Sequence, residues 1–149
     1  MGGLCLNHMT DENLKKFPSF LREGFRKHKI DFFKETEWNY SPIEVYRMIL
    51  REKEDFSKVT RVDFTSFAEN PRRGMENLVT KPDFYGVSTF TERESLVNKL
   101  KLPKPGKKIA RGHLKEEYGP IYRKLPHICL WVYSDADFSD NDFEVSNYE

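Results

Sequence analysis

His127-Ile128-Cys129-Leu130-Trp131-Val132-Tyr133 alternates without a break: Ile128, Leu130 and Val132 are aliphatic, and His127, Cys129, Trp131 and Tyr133 fall between them. Successive side chains on a strand point to opposite faces, so this spacing predicts a strand with one face set into a core. Two further strand patterns lie upstream, over residues 107–114 and 120–123, with Tyr118-Gly119-Pro120 as the turn between them. Tyr85-Gly86-Val87-Ser88-Thr89-Phe90 reads as another strand, and Phe143-Glu144-Val145 as an edge strand.

The first half reads differently. Thr10-Asp11-Glu12 offers an N-cap, after which Leu14, Phe17, Leu21 and Phe25 recur at helical spacing, with Pro18 dividing a short turn from a helix that ends near His28. Ser41-Pro42-Ile43-Glu44 places a capping serine, a proline at the first helical position and a glutamate at the third, which predicts a helix over 42–52. Val62 and Phe64 alternate with Arg61 and Asp63, which predicts a strand over 59–67 before the Asn70-Pro71-Arg72-Arg73-Gly74 loop. Thr91-Glu92-Arg93-Glu94 is a second capping box, opening a helix through Leu100 that Pro103, Pro105 and Gly106 terminate. The aromatic-rich stretches 30–33 and 38–40 fit loop, strand or helix alike. Helices that lead and strands that follow predict an α+β fold: one domain, with N-terminal helices packed on a mainly antiparallel sheet formed largely by the second half.

With 149 residues, 38% of them hydrophobic and 14% aromatic, the chain can build one core, so a single globular domain over 1–149 is expected. Its longest apolar runs fall far short of the roughly 20 residues that cross a bilayer, so no membrane partner is expected. Leu6 stands where a myristoylation signal requires Ser or Thr, and residues 1–8 read as a disordered extension, because Met9 makes an equally good beginning. Cys5 and Cys129 are far apart and in no paired motif, which fits a reducing cytoplasm better than a disulfide framework.

The net charge of +1 hides an asymmetry. Lys99, Lys101, Lys104, Lys107, Lys108, Arg111, Lys115, Arg123 and Lys124 face only Glu116 and Glu117 over 99–124, whereas the acidic C-terminal segment 135–149 carries no base. These are either solvated faces of one fold or docking surfaces of opposite sign. Lys107 and Lys108, with Tyr118 and Tyr122 nearby, would hold backbone phosphates beside stacking aromatics, although the balanced net charge is unlike that of a dedicated nucleic-acid domain.

The chemistry-bearing residues concentrate on two strands. If solvent reaches the non-core face of 127–133, Trp131 and Tyr133 make a binding surface with large contact area and hydrogen-bonding tips; if a helix covers it, Trp131 fills a second core layer. Arg111 and His113 share one face of the 107–114 strand, and Glu117 follows it. Were that strand the neighbour of the other, Arg111, His113, Glu117 and His127 would converge into a group able to run acid–base chemistry on a phosphodiester. Asp135-x-Asp137-x-Ser139 begins like a calcium loop, but Asp140 stands in place of the turn glycine and Ser146 in place of the bidentate glutamate. No paired-histidine, glycine-rich phosphate or nucleophile-elbow motif occurs, so neither a metal nor a cofactor is implied.

An arginine on an early strand, a Ser-Thr pair on a middle strand and a later glutamate, here Arg61, Ser88 with Thr89, and Glu117, loosely resemble the Arg, Ser-Thr-Ser and Glu pattern of ADP-ribosyltransferases. The resemblance covers these few residues and implies nicotinamide adenine dinucleotide as substrate. Phe90 replaces the third residue of the middle motif, and Glu116 adjoins Glu117 where the family separates its two acidic positions by one residue.

A chain rich in aromatics and poor in catalytic motifs is expected to be a protein-binding accessory or inhibitor-type module, its partner another protein. The alternative is a small enzyme acting on a nucleotide or nucleic acid, phosphodiesterase-like or ADP-ribosyltransferase-like.

Overall fold

Two alternating apolar faces, one on each side of the same strands, dictate a sheet covered on both sides, and the computed structural model has that architecture. It describes residues 11–52, 54–69, 71, 73–102, 104–138 and 143–146. Among these, β1 (Ile43–Leu50), β2 (Val87–Phe90), β3 (Lys107–Leu114), β4 (Ile121–Lys124), β5 (His127–Leu130) and β6 (Glu144–Ser146) form one antiparallel sheet in the order β4-β5-β2-β1-β3-β6. Three α-helices accompany it: α1 (Asp11–Leu14), α2 (Ser19–Lys27) and α3 (Arg93–Leu100). The α+β arrangement, with helices leading and most strands in the second half, is as the sequence predicts. The expected extension 1–8 lies outside the described residues, as do 139–142 and 147–149 of the acidic segment.

One face of the sheet carries Val45, Ile49, Val87, Ala110, Leu114, Ile128 and Leu130, closed over by Phe64, Phe138 and Phe143. The other face is covered in two parts. Helix α3 sets Leu96 against Phe90 and Ile109, while α2 and its flanking loops bring Phe17, Leu21 and Phe32 onto Cys129 and Trp131.

Two elements differ from expectation. Within residues 42–52, predicted helical, Ile43–Leu50 form strand β1, paired with β3 along its whole length from Ile43↔Leu114 to Leu50↔Lys107. The capping signal at Ser41-Pro42 is worth about 1 kcal/mol. Burying β-branched Val45 and Ile49 between two neighbouring strands contributes roughly 1.5–3 kcal/mol for each side chain, so the pleated alternative wins.

Residues 59–67, predicted as a strand, instead curl through a 3-10 turn at Arg61–Asp63. The Asp63 carboxylate accepts the Thr60 backbone N–H at 2.9 Å and also faces Arg51, which bends the chain and turns Val62 to solvent.

Candidate functional site

The sheet register places Lys124, His127, Phe90, Tyr46, Arg111 and Glu144 in one row across a single face. His127 and Arg111 therefore look out from the same face, yet β2 and β1 stand between their strands. Three strand steps separate them, roughly 14 Å at the usual inter-strand spacing.

His113 lies opposite Glu44 on β1, and Glu117 sits exposed on the 3-10 turn Glu116–Tyr118. The Arg111 guanidinium is held by Glu44 at 2.8 Å and by Glu144 at 3.8 Å. Arg111 and His113 stay together on one face of β3, but His127 lies three strands away, because 107–114 and 127–133 are not neighbouring strands, so the four residues do not converge.

Trp131 is fully buried and donates its indole N–H to the Pro82 carbonyl at 2.9 Å, with Phe32 edge-on at 5.0 Å. Tyr133 is half-buried against Phe17. Burial, then Asp135 and Glu116, push its phenol pKa up. Over Cys129 and Trp131 this face is closed by the N-terminal segment, so Trp131 is a second core layer, while His127 and Tyr133 at its two ends remain partly exposed. Burial likewise pushes up the Cys129 thiol. Lys107 and Lys108 fall on opposite faces of β3: Lys107 reaches solvent, while Lys108 is buried with its ammonium 4.7 Å from the centre of the Phe56 ring.

Arg61 lies on a 3-10 turn, where it donates to the Phe64 carbonyl and pairs with Glu69 at 3.3 Å. The strand arginine that approaches the Ser-Thr pair is Arg47. Its guanidinium donates to the carbonyls of Ser88 at 2.7 Å, Asp63 at 2.8 Å and Thr65 at 3.2 Å. Strands β1 and β2 meet at the single register pair Tyr46↔Phe90, and beyond it the Arg47 side chain satisfies the Ser88 carbonyl. Burial lowers the Arg47 pKa to about 10, partly offset by Asp63 and Glu69.

On the same strand, the exposed Ser88 side chain places Oγ 2.6 Å from His127 Nε2. Phe90 packs edge-on against the imidazole at 5.4 Å. Burial lowers the His127 pKa and Lys99 lowers it further, while Asp83 opposes them. Ser88 and His127 occupy diagonal cross-strand positions, which become visible only once β2 and β5 are known to be neighbours.

A second feature lies at the far end of β1. Leu50, Arg51, Asp55, Lys58, Val62 and Lys107 line an open cleft of about 740 Å³. Leu50 and Val62 are 65% and 77% exposed there, and Phe56 stands exposed nearby. The loop beneath them is firmly tied. Arg51 holds both carboxylate oxygens of Asp63 and donates to the carbonyls of Ser57 and Lys58. Periodicity could not reveal this cleft, because Leu50 and Val62 belong to elements read as a helix and a strand.

Among the described residues no three His, Cys, Asp or Glu side chains gather as metal ligands, and no helix is long and apolar enough to cross a membrane. The chain matches no family model, no curated protein and no solved structure.

Proposed function

We propose that this chain is a protein-binding module of the accessory or inhibitor type, and that its contact surface is the cleft between the end of β1 and the 3-10 turn Arg61–Asp63. The observation that carries the reading is the pairing of two exposed aliphatic side chains, Leu50 and Val62, on one cleft whose backbone is already fixed. Isolated exposed aliphatics are ordinary surface. Two on one concave surface, above a bidentate ion pair that keeps the loop from collapsing over them, form a preorganised contact.

The cleft's charges are mixed, with Arg51 and Lys58 against Asp55 and Asp63, which suits an apolar anchor side chain ringed by polar contacts. Burying Leu50 and Val62 under a partner would contribute roughly 1.5–3 kcal/mol for each side chain. The sequence-based expectation of a binding module is kept, and its surface moves away from Trp131.

The test is a photoreactive amino acid placed at Val62 and, as a control, at the exposed Leu125, with irradiation in cells that naturally make the protein. The expected result is a discrete adduct with a second protein from position 62, absent from position 125 and lost when Leu50→Asp is added. No adduct at position 62, or the same adducts at both positions, would remove the reading.

A further inference from the structure

We propose that Ser88 and His127 form a nucleophile–base pair that accepts acyl groups from small activated esters. The pair lies outside the Leu50/Val62 cleft, so the inference stands apart from the protein-binding reading. Its basis is geometric: an exposed hydroxyl whose oxygen is 2.6 Å from an imidazole nitrogen is within the range in which histidine activates serine for attack.

The pair is built on rigid elements. Strands β2 and β5 are in register from Val87↔Leu130 to Phe90↔His127, which fixes the two residues on one face. Phe90 packs edge-on against the imidazole, and Arg47 clamps the Ser88 carbonyl, so the main chain beneath the nucleophile is held as well. Sites on paired strands keep their geometry better than sites on loops.

The charged groups that face the ring come from three elements. Asp83, on the 3-10 turn Pro82–Tyr85, stabilises the imidazolium, Lys99 on α3 opposes it, and Lys124 on β4 is the register partner of His127. Burial is the larger influence and favours the neutral ring, the form a general base requires. Asp83 would steady the cation once the proton arrives.

The step balances as an acyl transfer. Ser88 Oγ gives its proton to His127 Nε2 and bonds to the ester carbonyl carbon; the carbon–oxygen bond to the leaving alcohol breaks, and that alcohol departs with the proton from Nε2. Water then repeats the sequence on the acyl-serine and releases the carboxylic acid.

The experiment exposes the full chain to p-nitrophenyl acetate and, separately, to a fluorophosphonate probe, with peptide mapping by mass spectrometry. Both reagents are expected to label Ser88 at least tenfold faster than any other hydroxyl. The rate should rise with pH through a midpoint below the ordinary imidazole value. Ser88→Ala should remove the label, and His127→Gln should slow it at least tenfold while the variant still unfolds cooperatively. Labelling confined to lysines, labelling of Ser88 no faster than of other serines, or an unchanged rate in His127→Gln would overturn the proposal. Should His127→Gln fail to fold, the wild-type pH profile decides: a rate that climbs through the imidazole range without a midpoint also overturns it.

Discussion

Arg51 grips Asp63 through two parallel hydrogen bonds, Nη1 to Oδ1 at 2.6 Å and Nη2 to Oδ2 at 2.8 Å, joining the end of β1 to a turn twelve residues further along the chain. Both side chains are nearly covered, at 10% and 7% exposure. Removing one partner leaves the other charge largely covered and without its counterion, an effect worth roughly 2–3 kcal/mol. Asp63→Ala also deletes the cap on the Thr60 N–H, so its loss of stability in denaturant unfolding should reach that size. The Arg123–Glu37 pair has similar distances but is about one-third exposed on each side, and Arg123→Ala should cost under about 1 kcal/mol. Equal losses in the two variants would show that burial is not what separates these ion pairs.

His127 makes stability depend on pH in a defined direction. Its folded pKa lies below the unfolded value, mainly through burial, so between the two values the unfolded chain binds more protons than the folded one. Stability from this group is therefore complete above the ordinary histidine value of about 6.5 and is lost as pH falls through that value towards the folded one. Melting temperatures taken from pH 7.5 to 5.5 should fall less steeply in His127→Gln than in the wild type. A steeper fall in the variant would reverse the assigned sign.

Gly119 closes the turn before β4 at φ +145°, a backbone region that L side chains rarely adopt. A Cβ there would also run into the Trp131 carbonyl, which is main chain and cannot rotate aside. Gly119→Ala should therefore cost about 3 kcal/mol or more, whereas Gly74→Ala, with open space around it, meets only the strain of its positive φ. Thermal unfolding of the two variants side by side checks the contrast.

The legibility of this fold follows the range of the signals. Leu21 with Phe17, and Ile128 with Leu130, announce their elements because the apolar period is local and a core lies on one side. Residues 42–52 misled because an N-terminal capping signal is also local, whereas what makes β1 a strand is pairing with Lys107–Leu114, some sixty residues away in the chain. Val62 misled for the opposite reason: alternation suggested a strand, but the Asp63 carboxylate found partners at Thr60 and Arg51 and curled the segment. The Arg111, His113, Glu117 and His127 grouping depended on strand order, which periodicity does not encode. Ser88 and His127 meet across β2 and β5 for the same unencoded reason, and no local pattern announces the pair.

Arg47 should be the most sensitive polar position in the sheet. Its partly buried guanidinium serves three main-chain carbonyls on two segments, Asp63 and Thr65 in the turn region and Ser88 on β2, and its charged carbon lies 5.5 Å from the centre of the Phe64 ring. Lysine keeps the charge but lacks the planar fork that reaches several acceptors at once. The bonds to Asp63 and Thr65 are partly buried and the one to Ser88 is exposed, so each costs less to lose than the roughly 1–3 kcal/mol of a fully buried group, and Arg47→Lys should lose about 2 kcal/mol. In a chain of this size that corresponds to a fall in Tm of roughly 4–8 °C. Arg47→Met, which removes the charge and leaves all three carbonyls without a donor, separates desolvation of the cation from loss of its hydrogen bonds. If hydrogen bonding dominates, Met is worse than Lys; if the buried charge is the larger cost, Met is better tolerated. Amide hydrogen exchange at Thr65 and Ser88 should rise in either variant if Arg47 is what ties the turn to β2, and unchanged protection there would refute that role.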